Sequence, residues 1–221
     1  MRPKFASVVF DADSTLASIE GIDWLGARRG LDVGRNVQDL TTRAMAGELP
    51  LEQVYALRLD AIRPTRKEIS LLSDAYVAAV EPGALKLLEQ LRDANVTLAI
   101  VSGGLRAALL PLANMLSIPQ HDVYAVDLIF DDNGEYASLA ASQPLSQQLG
   151  KPIVVRGLNL PRRSVMIGDG STDAAVRGDT DEFIAYTRVA RRELVVASAD
   201  AEARDFGELT KLLFESAAHK S

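Results

Sequence analysis

Ala6-Ser7-Val8-Val9-Phe10-Asp11-Ala12-Asp13-Ser14-Thr15 passes abruptly from β-branched and aromatic residues, apolar on both faces, to a polar run carrying two carboxylates. Such a stretch predicts a buried parallel strand, Ala6–Phe10, feeding a loop. Two further stretches repeat the pattern: Val96–Val101 ends at Ser102-Gly103-Gly104, and Val165–Ile167 ends at Gly168-Asp169-Gly170. Phe183–Tyr186 and Val195–Ala197 are weaker strand candidates. Helical patterns over Gly83–Asn95 and Leu105–Leu116 separate the strands. Strands alternating with helices of this length imply an α/β fold, a Rossmann-like doubly wound parallel sheet.

Residues 18–76 break the alternation with helical signals and no convincing strand, punctuated by the Gly47–Pro50 turn and by Pro64. This stretch is expected to form a helical cap inserted into a catalytic core made of residues 1–17 and 77–221. Asp132-Asn133-Gly134-Glu135 signals a type I′ turn, so Ala125–Ala137 is expected to form a small hairpin on the edge of the sheet. A final helix is expected near Glu208–Glu215.

Composition removes several function classes. With 221 residues, 48% of them hydrophobic and 24% charged, the chain is long enough for one ordinary core and too apolar for disorder. A formal charge of −6 offers no field to attract nucleic acid or anionic lipid. Apolar runs such as Ala75–Val80 are far short of a membrane span, and no targeting segment is visible. The cytoplasm is therefore the default expectation. Without cysteine there is no disulfide, thiol nucleophile or cysteine-bound zinc, and His121 and His219 are too few for a His-rich centre. A bound metal would be held by oxygen.

In a doubly wound sheet ligands sit beyond the carboxyl ends of the strands. Three polar loops occupy that position here, Asp11–Thr15, Ser102–Gly104 and Gly168–Asp173. They bring Asp11, Asp13, Asp169 and Asp173 toward one crevice. Two unit charges 4 Å apart interact by roughly 4 kcal/mol at an effective dielectric near 20, so the cluster needs a cation or a proton. An all-oxygen ligand set points to Mg²⁺.

Side chains two apart in an extended strand share a face, so Asp11 and Asp13 can address one small substrate. One carboxylate could attack phosphorus while the other handles the leaving-group proton; equally, Asp13, Ser14 and Thr15 could cap a helix. Ser102-Gly103-Gly104 presents a hydroxyl and unobstructed N–H groups to a phosphate oxygen, although a strand-to-helix turn needs glycine for its own sake. An EF-hand beginning at Asp169 fails, with Ala174 at the glycine position and Thr180 at the closing carboxylate. A Walker loop fails because Pro152 follows Gly150-Lys151. Lys151 by itself reads as a surface lysine unless something anionic lies beside it.

Taken jointly and in order, Asp11-Ala12-Asp13-Ser14-Thr15, Ser102-Gly103-Gly104, Lys151 and Gly168-Asp169-Gly170-Ser171-Thr172-Asp173 resemble the four motifs of the haloacid dehalogenase superfamily. Phe10–Leu16, Ile19–Asp23, Thr42-Arg43-Ala44-Met45, Arg58 and Asn133–Ala137 are similar to the phosphoserine phosphatase family within it. The resemblance implies a Mg²⁺-dependent phosphatase of the serine biosynthesis route, with a helical cap over a Rossmann-like core. Asp11 would be the nucleophile and Asp13 the general acid/base. Asp11, Asp169, Asp173 and the main-chain carbonyl of Asp13 would hold the metal. Ser102, Gly103, Gly104, Lys151 and Thr172 would surround the phosphoryl group, with Thr172 standing where the family usually has asparagine. Glu20, Met45 and Arg58 would contact the rest of a phosphoserine substrate.

Arg58 has support of its own. On a helical projection it falls near the centre of an apolar arc formed by Leu51, Val54, Tyr55, Leu57, Leu59, Ala61 and Ile62, and a guanidinium there needs a partner. A substrate carboxylate, a structural ion pair and a snorkelling stem all satisfy that need. For Glu20 the alternative is a helix N-terminal acid. Other readings of the chain are a phosphatase or phosphotransferase for another small phosphomonoester, and an idle relative that binds a metabolite or partner.

Overall fold

Val8, Val9 and Phe10 have no polar face to turn to water, and in the computed structural model all three are fully buried in strand β1 (Ser7–Phe10). Each such side chain contributes about 1.5–3 kcal/mol by leaving water. The structure describes residues 2–45 and 48–215. After β1 come four helices, α1 (Gly21–Ala27), α2 (Leu31–Met45), α3 (Leu51–Ile62) and α4 (Arg66–Ala78). Next are α5 (Ala84–Asp93), β2 (Thr97–Leu105), α6 (Arg106–Met115), β3 (Val123–Val126), β4 (Leu128–Phe130) and β5 (Tyr136–Leu139). The chain continues through α7 (Gly150–Gly157), β6 (Ser164–Gly168), α8 (Ser171–Ala174), β7 (Glu182–Tyr186), α9 (Glu193–Ser198), β8 (Ala201–Ala203) and α10 (Phe206–Leu213).

The six-stranded sheet has the order β3-β2-β1-β6-β7-β8 and is parallel throughout. Val8 lies opposite Leu98 on one side and Val165 on the other. The expected α/β fold, a doubly wound parallel sheet flanked by helices, is borne out. The direction of winding reverses at β1 and β6, whose carboxyl ends therefore open a crevice. Asp11 and Asp169 are the first residues beyond those ends.

Helices α1–α4 contribute no strand to the sheet. Within α3 the buried face is narrower than the projected arc: Val54, Tyr55, Arg58, Leu59 and Ile62 are buried, whereas Leu57 and Ala61 are exposed. The N-terminus of α4 is closed by a capping box, in which the Thr65 hydroxyl accepts from the Glu68 amide and the Glu68 carboxylate accepts from the Thr65 amide. Glu68 also pairs with Arg29, tying α4 to the residues after α1.

Several local expectations need correction. Val195–Ala197 lies in helix α9, and the edge strand is Ala201–Ala203. A short apolar run has no period to separate helix from strand, and here only one side chain of the run, Val195, is fully buried. The hairpin forms, but as a separate two-stranded sheet of β4 and β5. Its turn is not type I′, because Gly134 (φ 81°) has positive φ and Asn133 does not. The Gly134 amide donates to the Asp131 carbonyl and the pairing shifts register at Phe130, the signature of a type I turn closed by a left-handed glycine and a bulge. Ser102–Gly104 is not a loop between strand and helix. Strand β2 runs on through it to Leu105, and its pairing with β3 shifts register between Val101 and Leu105.

Candidate active site

Asp11, Asp13, Glu20, Arg58, Gly103, Lys151, Asp169 and Thr172 line one pocket at the carboxyl ends of β1, β2 and β6, together with Ile22, Tyr55, Leu145 and Gln147. Residues spread over more than 160 positions of sequence are thus gathered at the point where the sheet reverses its winding. Ser102, Gly104 and Asp173 sit directly behind this lining. The Ser102 hydroxyl accepts from the Gly104 amide at 3.1 Å, and Asp173 is fully buried. The backbone of Met45 ends α2, while its side chain lies outside the described residues, as do Ala46, Gly47 and His219.

Lys151 is no surface lysine. It is buried near the start of α7, with its ammonium 2.9 Å from Asp11 Oδ2 and 2.5 Å from Asp173 Oδ1. Burial lowers its pKa, and the two carboxylates more than reverse the effect, so the charged form is favoured. Asp11 is fixed from its own backbone, since the Ala12 amide donates to Oδ1 at 2.7 Å. The other oxygen of Asp173 accepts from the Gly170 amide at 3.0 Å.

Oxygens of Asp11, Asp169 and Asp173 all lie within 4.8 Å of one another, and all three residues are buried. Burial pushes Asp169 up to about 7, with Arg192 pulling the other way and Glu20 and Asp11 adding to the rise. Burial also pushes Asp173 up to about 7, opposed by Lys151. One lysine and one arginine do not balance this group of acids. Three converging hard oxygen donors with excess negative charge fit a divalent cation of the Mg²⁺ type.

Asp13 is directed away from that triad. Its Oδ1 accepts from the Gly21 amide at 3.0 Å and from the Tyr76 hydroxyl at 2.5 Å. Burial, then the charge of Asp11, raises it to about 7. The helix-capping alternative is kept in part: Asp13 accepts from the first amide of α1, at Gly21, while Ser14 and Thr15 make no such bond among the described residues. Ser14 takes a left-handed φ of 53° and turns the chain, and its hydroxyl donates to Glu20 at 2.6 Å. Glu20 occupies the N-cap position of α1, the place of a helix N-terminal acid, but its side chain bonds none of the helix amides. Burial and Asp13 push Glu20 up to about 8, which marks a carboxylate in want of a cation.

Arg58 is 3% exposed and enters the pocket from α3. One terminal nitrogen donates to the Thr41 hydroxyl at 2.6 Å, and its guanidinium lies 5.5 Å from the Tyr55 ring centre. Thr41 in turn donates to Asp23. The Arg58 Nε is buried and has no hydrogen-bond partner among the described residues. Among the described residues no carboxylate pairs directly with Arg58, and Asp23 reaches it only through the Thr41 hydroxyl. Tyr55 also joins α3 to the sheet, its hydroxyl donating to the Gly103 carbonyl at 2.8 Å.

Sequence reasoning missed Tyr55, Tyr76, Thr41 and Asp23. The tyrosines fall on apolar helix faces and read as core. Thr41 and Asp23 gain meaning only once Arg58 is seen beside them. Arg192, which the family resemblance brings toward the rim of the site only weakly, donates to the side chain and to the carbonyl of Asp169.

With the geometry established, resemblance to known proteins is extensive. The sequence pattern of the haloacid dehalogenase-like hydrolases matches residues 8–176. The chain is 35% identical over 215 residues to the phosphoserine phosphatase of Mus musculus, covering 95% of each chain. It is 36% identical to the chloroplastic phosphoserine phosphatase of Arabidopsis thaliana, covering 88% of this chain and 67% of that one. Among solved structures, a phosphoserine phosphohydrolase-like protein from Francisella tularensis superposes with a TM-score of 0.88 at 27% identity, over 97% of this chain and 100% of that one. The chain therefore belongs to the haloacid dehalogenase-like hydrolase family, and within it to the phosphoserine phosphatase group.

Proposed function

We propose that this chain is a Mg²⁺-dependent phosphatase that hydrolyses O-phospho-L-serine to L-serine and phosphate, the step that yields free serine in its biosynthesis. The observation that carries the substrate is Arg58, buried in the pocket with an Nε that has no partner and no directly paired carboxylate among the described residues. A substrate carboxylate completes it by a two-point grip, and Glu20, which lines the same pocket, receives the ammonium. The likeness to phosphoserine phosphatases over nearly the whole chain supports the same reading.

In the first half-reaction an Asp11 oxygen attacks phosphorus and the bond from phosphorus to the serine oxygen breaks, while Asp13 gives its proton to that leaving oxygen. In the second, Asp13 takes a proton from water as the water oxygen attacks the aspartyl-phosphate, freeing phosphate and restoring Asp11. Lys151, the Ser102 hydroxyl, the backbone at Gly103–Gly104 and Thr172 hold the phosphoryl oxygens. Asp11, Asp169, Asp173 and the Asp13 carbonyl would hold Mg²⁺, which when bound supplies positive charge against the phosphoryl oxygens. Residues 18–76, helices α1 to α4, act as the cap that closes this pocket over the substrate, and Met45 belongs to its substrate side.

Phosphate release from phosphoserine, phosphothreonine and an aryl phosphate, compared by kcat/KM with Mg²⁺ and with chelator, tests the proposal. A preference for phosphoserine of roughly tenfold or more, about 1.4 kcal/mol in transition-state binding, is expected. A flat profile would keep the chemistry and remove the substrate. No Mg²⁺-dependent release from any ester would overturn both.

A further inference from the structure

The two oxygens of Asp13 have different surroundings. Oδ1 accepts from both the Gly21 amide and the Tyr76 hydroxyl. Oδ2 receives no hydrogen bond among the described residues and lies over Gly104, where a Cβ would come within 3.1 Å of it. With both lone-pair directions of Oδ1 occupied by donors, a proton on this carboxyl belongs on Oδ2, the oxygen that faces the phosphoryl-binding backbone.

Tyr76 is placed to do this and nothing else polar. It is fully buried near the end of α4, and among the described residues its only polar side-chain bond is the one to Asp13. The contact is also sterically exclusive: a Cβ on Gly21 would fall 2.1 Å from the Tyr76 hydroxyl oxygen. Glycine at the first position of α1 is therefore what lets the phenol reach Asp13.

We infer that Tyr76 is a positioning residue for leaving-group protonation, holding Asp13 by Oδ1 so that its transferable proton rides on Oδ2 toward the departing oxygen. The inference rests on the acid role of Asp13 proposed above. In that step the O–H bond of Asp13 breaks as the leaving oxygen gains the proton, and Tyr76 keeps its own proton throughout.

Leaving-group dependence separates this role from a packing role. A serine alkoxide must be protonated to leave, whereas p-nitrophenolate leaves without help. Tyr76→Phe keeps the ring and removes the donor. It is expected to lower kcat/KM on phosphoserine by roughly tenfold while changing it on p-nitrophenyl phosphate by less than about threefold, with KM for phosphoserine little altered. Gly21→Ala, which drives the phenol off Asp13, is expected to give the same bias by a second route. Asp13→Asn serves as reference and should show the largest bias of the three. Absence of bias in Asp13→Asn would overturn the acid role itself. A biased Asp13→Asn beside an unbiased or unaffected Tyr76→Phe would overturn only the inference about Tyr76. Equal loss on both esters in Tyr76→Phe, with lowered thermal stability, would assign Tyr76 to packing.

Discussion

Arg58 was legible from sequence because a guanidinium in an apolar arc is a conflict that something must resolve. Asp11, Asp13, Asp169 and Asp173 were legible for the same reason, as charges at the ends of buried strands. Tyr76 and Tyr55 were not, since a tyrosine on an apolar face creates no conflict until the partner of its hydroxyl is known. Removing the guanidinium in Arg58→Ala should cost about 100-fold in kcat/KM on phosphoserine, near the upper range for a hydrogen bond to a charged group, and leave an aryl phosphate within about threefold. Arg58→Lys should recover only part of this, because a point charge cannot make the two-point grip. Equal losses on both esters would remove the carboxylate role. Gly168 makes a second test at this scale. A Cβ there would fall 2.2 Å from Asp173 Cγ, so Gly168→Ala must displace the carboxylate beside Lys151. A destabilisation of about 1–3 kcal/mol is expected in urea unfolding, with activity lost alongside.

Among the elements, α4 carries the clearest electrostatic signature. Glu68 closes the capping box and pairs with Arg29, and the Arg29 hydrogen bond, opposed by modest burial, lowers it to about 2. A folded pKa below the unfolded value means that the stabilisation is complete above about pH 4.5 and is lost as pH falls toward 2. Glu68→Gln should therefore lower the urea midpoint at pH 7 and flatten its decline between pH 4.5 and 3. Parallel curves for the two proteins across that interval would contradict the assignment. Elements with a long period or a sharp boundary were readable from sequence, as with β1, β2, α5 and α6. The short ones were not: Val195–Ala197 fits either periodicity, and the hydrogen bonds that the Asp200 carboxylate accepts from the Phe183 amide and the Arg177 guanidinium mark where the edge strand begins. The hairpin turn was misread because Asn-Gly favours two positive φ values, while the Asp131 carboxylate here accepts from the Asn133 and Glu135 amides and favours another turn.

For the molecule as a whole, the doubly wound parallel sheet followed from the alternation of strands and helices, and with it the convergence of the three polar loops; the strand order did not. What the alternation could not supply was the packing of α1–α4 against the pocket, which depends on side-chain contacts distant in sequence such as Tyr55 to Gly103. The excess of buried acid predicts a global effect of the cation. At 100 times its dissociation constant, Mg²⁺ should stabilise the fold by about 2.7 kcal/mol, raising Tm by roughly 5–10 °C. Asp169→Asn should shrink that increment, as read by calorimetry with and without chelator. An undiminished increment would place the ion elsewhere. The central strand has one more consequence, which belongs to synthesis. β1 is made first, yet one of its two neighbours, Ser164–Ile167, lies roughly 150 residues downstream. At about 5–20 residues per second that strand leaves the ribosome some 8–30 s later, and until then a mostly apolar β-edge has no partner on that side. The growing chain thus passes through a sticky adolescence, and a chaperone that shelters N-terminal strands should raise its soluble yield more than one that acts after release.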